Sequence, residues 1–201
     1  TEILNKTNFK TNFKRIIVDE YQDISRGRYR LLQALINKQK DCRIMCVGDD
    51  WQSIYGFNGS DIRFTFDFEK IFGKTARVDL DKSFRFTQPI LDVSSRFIQK
   101  NHLQLKKNIT SKPSALKKTI EIIESEFGNQ NYMEEIFNKI DSERPNRKKW
   151  EVIILGRYNH LEKEIPDNLR SKYKNLDIKF MSIHKSKGLD ADVVVILKLE
   201  S

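Results

Sequence analysis

Short apolar runs alternate with amphipathic stretches along this chain. Arg15-Ile16-Ile17-Val18 and Arg43-Ile44-Met45-Cys46-Val47 each read as a buried strand, because unbroken apolar runs of this length suit a covered parallel sheet. Between them Tyr29, Leu31, Leu32, Leu35 and Ile36 recur at helical spacing. A strand-helix-strand unit of this size closes as a right-handed parallel crossover. Ser60-Asp61 is placed to cap a further helix holding Phe64, Phe66, Phe68, Ile71 and Phe72, an aromatic stripe read as core. An extended piece over Ala76–Leu80 follows, then a helix from about Pro89 to Lys100 with Ile90, Val93, Phe97 and Ile98 as its buried face. Pro89 suits a first helical turn. Asn101–Leu116 reads as a basic connector. The pattern then predicts strands over Thr119–Glu124, Trp150–Leu155, Ile178–Ile183 and Val193–Leu197, with helices over Tyr132–Ile140 and Leu161–Tyr173. The alternation is that of an α/β protein with parallel sheets flanked by helices.

Both early strands end in acids. Asp19-Glu20-Tyr21-Gln22-Asp23 follows the first, and Gly48-Asp49-Asp50 follows the second. Parallel strands deliver such residues to one sheet edge, where open α/β sheets bind ligands. Carboxylates there suit magnesium, which takes one or two of them plus nucleotide oxygens and water. Asp19 is the candidate magnesium ligand and Glu20 the candidate for orienting and deprotonating an attacking water.

Composition adds a partner class and removes others. The 201 residues are 38% hydrophobic and 32% charged, with a formal net charge of +9. A basic surplus favours a polyanionic partner or phosphate ligand, and a solvated lysine-rich surface explains it equally well. Lys106-Lys107 and Arg147-Lys148-Lys149 are read as solvated faces, with phosphate contact as the other reading. No apolar run is long enough to cross a membrane, so no membrane partner is expected. Cys42 and Cys46 make no disulfide framework and are read as core thiols, which fits a cytoplasmic setting.

Four segments carry a family resemblance. Asp19–Asp23 resembles the second helicase motif of the UvrD/Rep group of superfamily 1, and Gly48–Phe57 is similar to its third. Leu80–Arg85 resembles the fourth, and Phe180–Leu189 the fifth. They occur in the family's order across nearly the whole chain. The resemblance implies RecA-like sheets: residues 1–79 as the carboxyl-terminal part of a first motor domain, and residues 80–201 as a second motor domain cut before the sixth motif. It implies ATP and magnesium as cofactors, with single-stranded DNA, duplex junctions and the remaining helicase domains as partners. The expected setting is the bacterial cytoplasm.

The same resemblance gives each matching residue a role. Gln52 would touch the terminal phosphate, and Arg85 would act as an arginine finger. Phe84 would stack on adenine. Tyr55 and Phe57 would stack on bases of single-stranded DNA, although core packing is their other reading. Phe57 stands where tryptophan is common. Ser182, His184 and Lys187 would touch DNA backbone, and Gly188 and Asp190 would serve the nucleotide. Asp190 is one methylene shorter than the frequent glutamate. No G-x-x-x-x-G-K-[ST] loop occurs in the chain, so the 201 residues alone are expected to lack ATPase activity. With about one hundred residues between Arg85 and His184, an accessory domain is expected to be vestigial or missing in this segment. The implied activity is ATP-driven, 3′ to 5′ DNA unwinding; a non-catalytic DNA-binding scaffold and the motor part of a helicase-nuclease are the competing readings.

Overall fold

The computed structural model describes residues 13–39, 41–113, 119–124, 131–143 and 149–199. The chain forms two compact units, residues 1–119 and 120–201. The α/β expectation, with parallel strands in small sheets flanked by helices, is met in both.

The first unit opens with β1 (Arg15–Val18), helix α1 (Arg26–Asn37) and β2 (Arg43–Cys46). β1 and β2 pair in parallel, with Arg15 opposite Arg43 and Val18 opposite Cys46. Ser25 starts α1: its Oγ accepts a hydrogen bond from the Arg28 amide, satisfying one of the amides a helix start leaves open. Side chains alternate between sheet faces with period two. Ile16, Val18, Ile44 and Cys46 pack with Tyr21, Ile24, Leu32 and the rings of Phe64, Phe68 and Phe72. Ile17 and Met45, cross-strand partners on the other face, are 69% and 58% exposed. The strands read as wholly buried are thus covered on one face.

The phenylalanine-rich stretch forms two short helices, α2 (Arg63–Phe66) and α3 (Phe68–Phe72), rather than one. Asp67, at φ −91° and ψ 16°, leaves helical geometry between them. The Asp61 carboxylate accepts from the Arg63 amide at 3.1 Å, but the N-cap position of α2 is Ile62, not Ser60 or Asp61 as expected. Tyr29 stacks on Phe64 at 4.1 Å and Tyr21 meets Phe68 edge-on at 5.5 Å; Phe64, Phe68 and Phe72 pack on the core as read, while Phe66 is exposed.

A second small parallel sheet joins β3 (Lys82–Thr87) to β4 (Thr110–Lys112), with helix α4 (Gln88–Ile98) between. Pairing begins at Lys82; Val78 and Leu80, in the stretch read as extended, are exposed. On α4, Leu91 is the buried residue, while Val93 and Phe97, read as its inner face, are exposed.

The second unit contains helix α5 (Tyr132–Glu143), β5 (Trp150–Gly156), helix α6 (Leu169–Lys172), β6 (Leu176–Ser182) and β7 (Val193–Ile196). The strands form one parallel sheet in the order β6-β5-β7. Met133 and Phe137 of α5, Leu169 and Tyr173 close one face over Val152, Ile154, Leu176 and Ile178. Two expectations fail here. Thr119–Glu124 is not assigned to any strand. The helix expected over 161–173 is instead a 3-10 turn (Asn159–Glu164) and the single-turn α6. Pro166 lies between them and cannot supply the amide a continuous helix needs. Residues 161–178 hold these pieces and the start of β6, all described, and no separate accessory module.

Candidate nucleotide and nucleic-acid site

The ends of β1 and β2 are tied together by one side chain, Gln22. The Val47 amide donates to Val18 O at 2.8 Å, and the Tyr21 amide donates to Val47 O at 2.9 Å, extending the ladder past both strands. The chain after β1 then tightens into a 3-10 turn (Tyr21–Asp23) entered through Glu20 at φ 50° and ψ 42°. This left-handed backbone is unusual outside glycine and is held by the Glu20 amide donating to Asp19 Oδ1 at 2.8 Å. It turns Gln22 inward, where it is fully buried.

Both ends of the Gln22 amide are used. Its Nε2 donates to Glu20 Oε2, and its Oε1 accepts from the Asp49 amide at 3.0 Å. Gly48 makes the room: a Cβ at that position would stand 2.6 Å from Gln22 Oε1 and 3.2 Å from the amide nitrogens of Tyr21 and Gln22. The Ser53 hydroxyl adds a bond to Gln22 O. The two acidic stretches therefore share one edge, and Glu20 is linked through Gln22 to the start of the second stretch.

That second stretch forms a 3-10 turn (Asp50–Gln52) capped by Asp49, whose Oδ1 accepts from the Trp51 amide at 3.1 Å. Gln52 Nε2 donates to Asp49 Oδ2 at 2.8 Å. Lys107 Nζ lies 2.6 Å from Asp49 Oδ1 and also pairs with Asp50. Burial alone would raise the Asp49 carboxyl, but the bonds from Lys107 and Gln52 and the Lys107 charge hold it below its ordinary value. Asp50 is 2% exposed and also accepts from the Leu105 amide at 2.9 Å. Buried charge demands such pairing. Trp51 Nε1 donates to Leu105 O at 2.9 Å, and Lys107 lies over the Trp51 ring. Lys107, read with Lys106 as a solvated face, is instead docked onto Asp49-Asp50-Trp51.

The other sequence candidates divide by location. Asp19, Glu20 and Tyr55 line one open pocket of about 360 Å³, together with Asp23, Arg28 and Leu31. Phe57 is 68% exposed, with its ring 6.1 Å from that of Tyr55. Phe84 and Arg85 lie exposed on β3, in the other sheet of this unit; Lys82 Nζ sits over the Phe84 ring. Among the described residues Arg85 makes no ion pair. In the second unit Ser182 ends β6 and is buried. His184 and Asp190 are exposed, Lys187 is half-buried, and Gly188 has a φ of 83° that favours glycine.

Asp19 offers an oxygen donor set of the kind magnesium takes. Among the described residues no group of three or more His, Cys, Asp or Glu side chains is arranged to enclose a metal ion. A single carboxylate completed by nucleotide oxygens and water is the arrangement these residues fit. The sequence motifs missed Gln22, Gly48, Asp49 and Lys107 as a connected set. A glycine next to acids and a glutamine among them were visible signals; the Lys107 partnership, 57 residues from Asp50, had none.

Residues 2–73 match the family model for the UvrD/REP helicase N-terminal domain. The chain is 36% identical to DNA helicase IV of Escherichia coli K12 over 98% of its own length, which is 28% of that relative. It is 29% identical to the ATP-dependent DNA helicase PcrA of Bacillus subtilis over 85% of the chain and 23% of PcrA. A putative ATP-dependent DNA helicase of B. subtilis, YjcD, is 36% identical over 46% of the chain and 12% of that protein. The chain thus spans less than a third of each of these relatives, and its similarity to DNA helicase IV runs along nearly its whole length.

Proposed function

We propose that this UvrD-like chain is the motor segment of a longer ATP-dependent DNA helicase, carrying its second to fifth motifs. Residues 1–79 would end the first motor domain and residues 80–201 would supply much of the second. ATP hydrolysis would drive 3′ to 5′ movement on single-stranded DNA. Magnesium, held by Asp19 with nucleotide oxygens, would neutralise phosphate charge.

The observation that carries this reading is the hydrogen-bonded path from Glu20 through Gln22 to Asp49 and Gln52 at one sheet edge. Glu20 accepts the proton of the attacking water, and Gln22 fixes the direction in which its carboxylate points. Gln52 turns one amide hydrogen to Asp49 and keeps the other for the terminal phosphate. Arg85 supplies a cation for the charge that develops on the transferring group, and Phe84 stacks on the adenine. Tyr55 and Phe57 stack on bases, while Ser182, His184 and Lys187 hold backbone. Gly188 and Asp190, on the match to the fifth motif, would serve the nucleotide.

The test is DNA-stimulated ATP turnover by the full-length protein. Glu20→Gln is expected to lower kcat by at least about a hundredfold while DNA binding persists. Unchanged turnover would leave a DNA-binding scaffold as the better account. The 201 residues alone, lacking a phosphate-binding loop, are expected to show no turnover.

A further inference from the structure

We propose that Lys107 is a positioning residue for Gln52, acting through Asp49; this rests on the reading of Gln52 as a group that contacts the terminal phosphate. A glutamine side chain on a short turn has several rotamers, and only some would aim its amide at a phosphate. Here the choice is made by Asp49 Oδ2, which accepts from Gln52 Nε2 at 2.8 Å. That nitrogen carries a second hydrogen, so fixing the first fixes the direction of the other.

Asp49 can do this only if its own carboxylate is held. Its Oδ1 accepts from the Trp51 amide at 3.1 Å and from Lys107 Nζ at 2.6 Å. Rotation of the carboxylate would break both bonds. Lys107 is itself fixed, because the same ammonium pairs with buried Asp50 and sits over the Trp51 ring, 5.3 Å from its centre. The backbone beside it is anchored twice, by the Leu105 amide on Asp50 Oδ2 and by Leu105 O accepting from Trp51 Nε1, both at 2.9 Å. In the amide orientation that satisfies both its atoms, Gln104 adds a bond to Asp50 Oδ2 at 2.8 Å. Two of the three Lys107 ammonium hydrogens therefore face the Asp49 and Asp50 carboxylates, and its side chain is only 22% exposed. That arrangement serves geometry within the turn, not contact with a phosphate in solvent.

The experiment is a double-mutant cycle in the full-length protein, reading kcat and KM for ATP at saturating DNA. Gln52→Ala is expected to lower kcat. Lys107→Met is expected to lower kcat on the order of tenfold, the scale of loss when a contact group is misaimed. The double variant should be no slower than Gln52→Ala alone, because both changes remove the same contact. Lys107→Arg, which keeps the charge, should recover part of the loss. If the two losses multiply, or if Lys107→Met moves KM and kcat in a pattern unlike Gln52→Ala, the positioning role is overturned. If Gln52→Ala leaves kcat unchanged, the phosphate reading of Gln52 has failed first, and the positioning role falls with it. Should Lys107→Met fail to fold, Lys107→Gln goes through the same cycle with the same criteria.

Discussion

Two of the three sheets that carry candidate residues are held in different ways. In the second unit, Met133, Phe137, Val152, Ile154 and Leu169 have no exposed surface, and α5 and α6 close over β5 and β6 by apolar packing. In the first unit, the β1–β2 pair has a smaller buried cluster of Tyr21, Ile24 and Leu32. Its edge is instead filled by polar groups, with Gln22 at 0% and Asp50 at 2% exposure. Apolar packing is tolerant of direction, whereas a hydrogen bond fails when its partner turns away. A sheet that must aim carboxylates and an amide at one spot gains from the second kind of order.

Substitutions should separate the two kinds. Phe137→Ala is expected to have the largest effect on stability, about 3–5 kcal/mol, because the ring is fully buried and contacts Tyr173. Urea unfolding followed by Trp150 fluorescence would read it; a loss below about 1 kcal/mol would show that α5 is not closing that core. Gly48→Ala comes next, at about 1–3 kcal/mol for overpacking, since the added carbon meets backbone nitrogens at 3.2 Å as well as Gln22 Oε1. Its loss should extend to ATP turnover, unlike an equal loss from a distant core site. Gln22→Leu is smaller in stability, about 1–2 kcal/mol for the Asp49 amide that loses its acceptor. It should nevertheless lower kcat, because the Glu20 carboxylate loses the bond from Gln22 Nε2 that directs it. A Gln22→Leu protein with normal turnover would remove the link between edge order and chemistry.

The same contrast explains what could be read from the sequence. β1, β2, their parallel pairing and α1 follow from periodicity, which is a local signal, and they stand where expected. The motifs located Asp19, Glu20, Gln52 and Tyr55 on one unit for the same reason. What periodicity does not carry is which partner lies across space. The long apolar faces of α4 and β1 read as buried, yet Phe97 and Ile17 are exposed, because coverage depends on what packs there and not on the pattern itself. Pro166 breaks the helix over 161–173, a stop that apolar periodicity does not register. Lys107 looked like one of many surface lysines, and only the fold brings it to Asp49 and Asp50.

The smallest expected effect concerns pH and again separates the units. Burial pushes the Cys46 thiol from its ordinary 9.0 up to about 12. It faces the cluster under α1 that includes Tyr21, whose hydroxyl burial also raises. In the unfolded chain both groups ionise at ordinary values, so between about pH 9 and 12 the unfolded state has lost protons the folded state keeps. The stability that Cys46 contributes is therefore fully present below about pH 9 and is lost as pH rises toward 12. Cys46→Ala should flatten this part of the profile, leaving the share due to the buried tyrosines. No thiol lies in the second unit, so its unfolding, followed by Trp150, should be indifferent to the substitution. An unchanged alkaline slope in Cys46→Ala would mean that the thiol reaches solvent and that the β1–β2 sheet is looser on its α1 side than its packing implies.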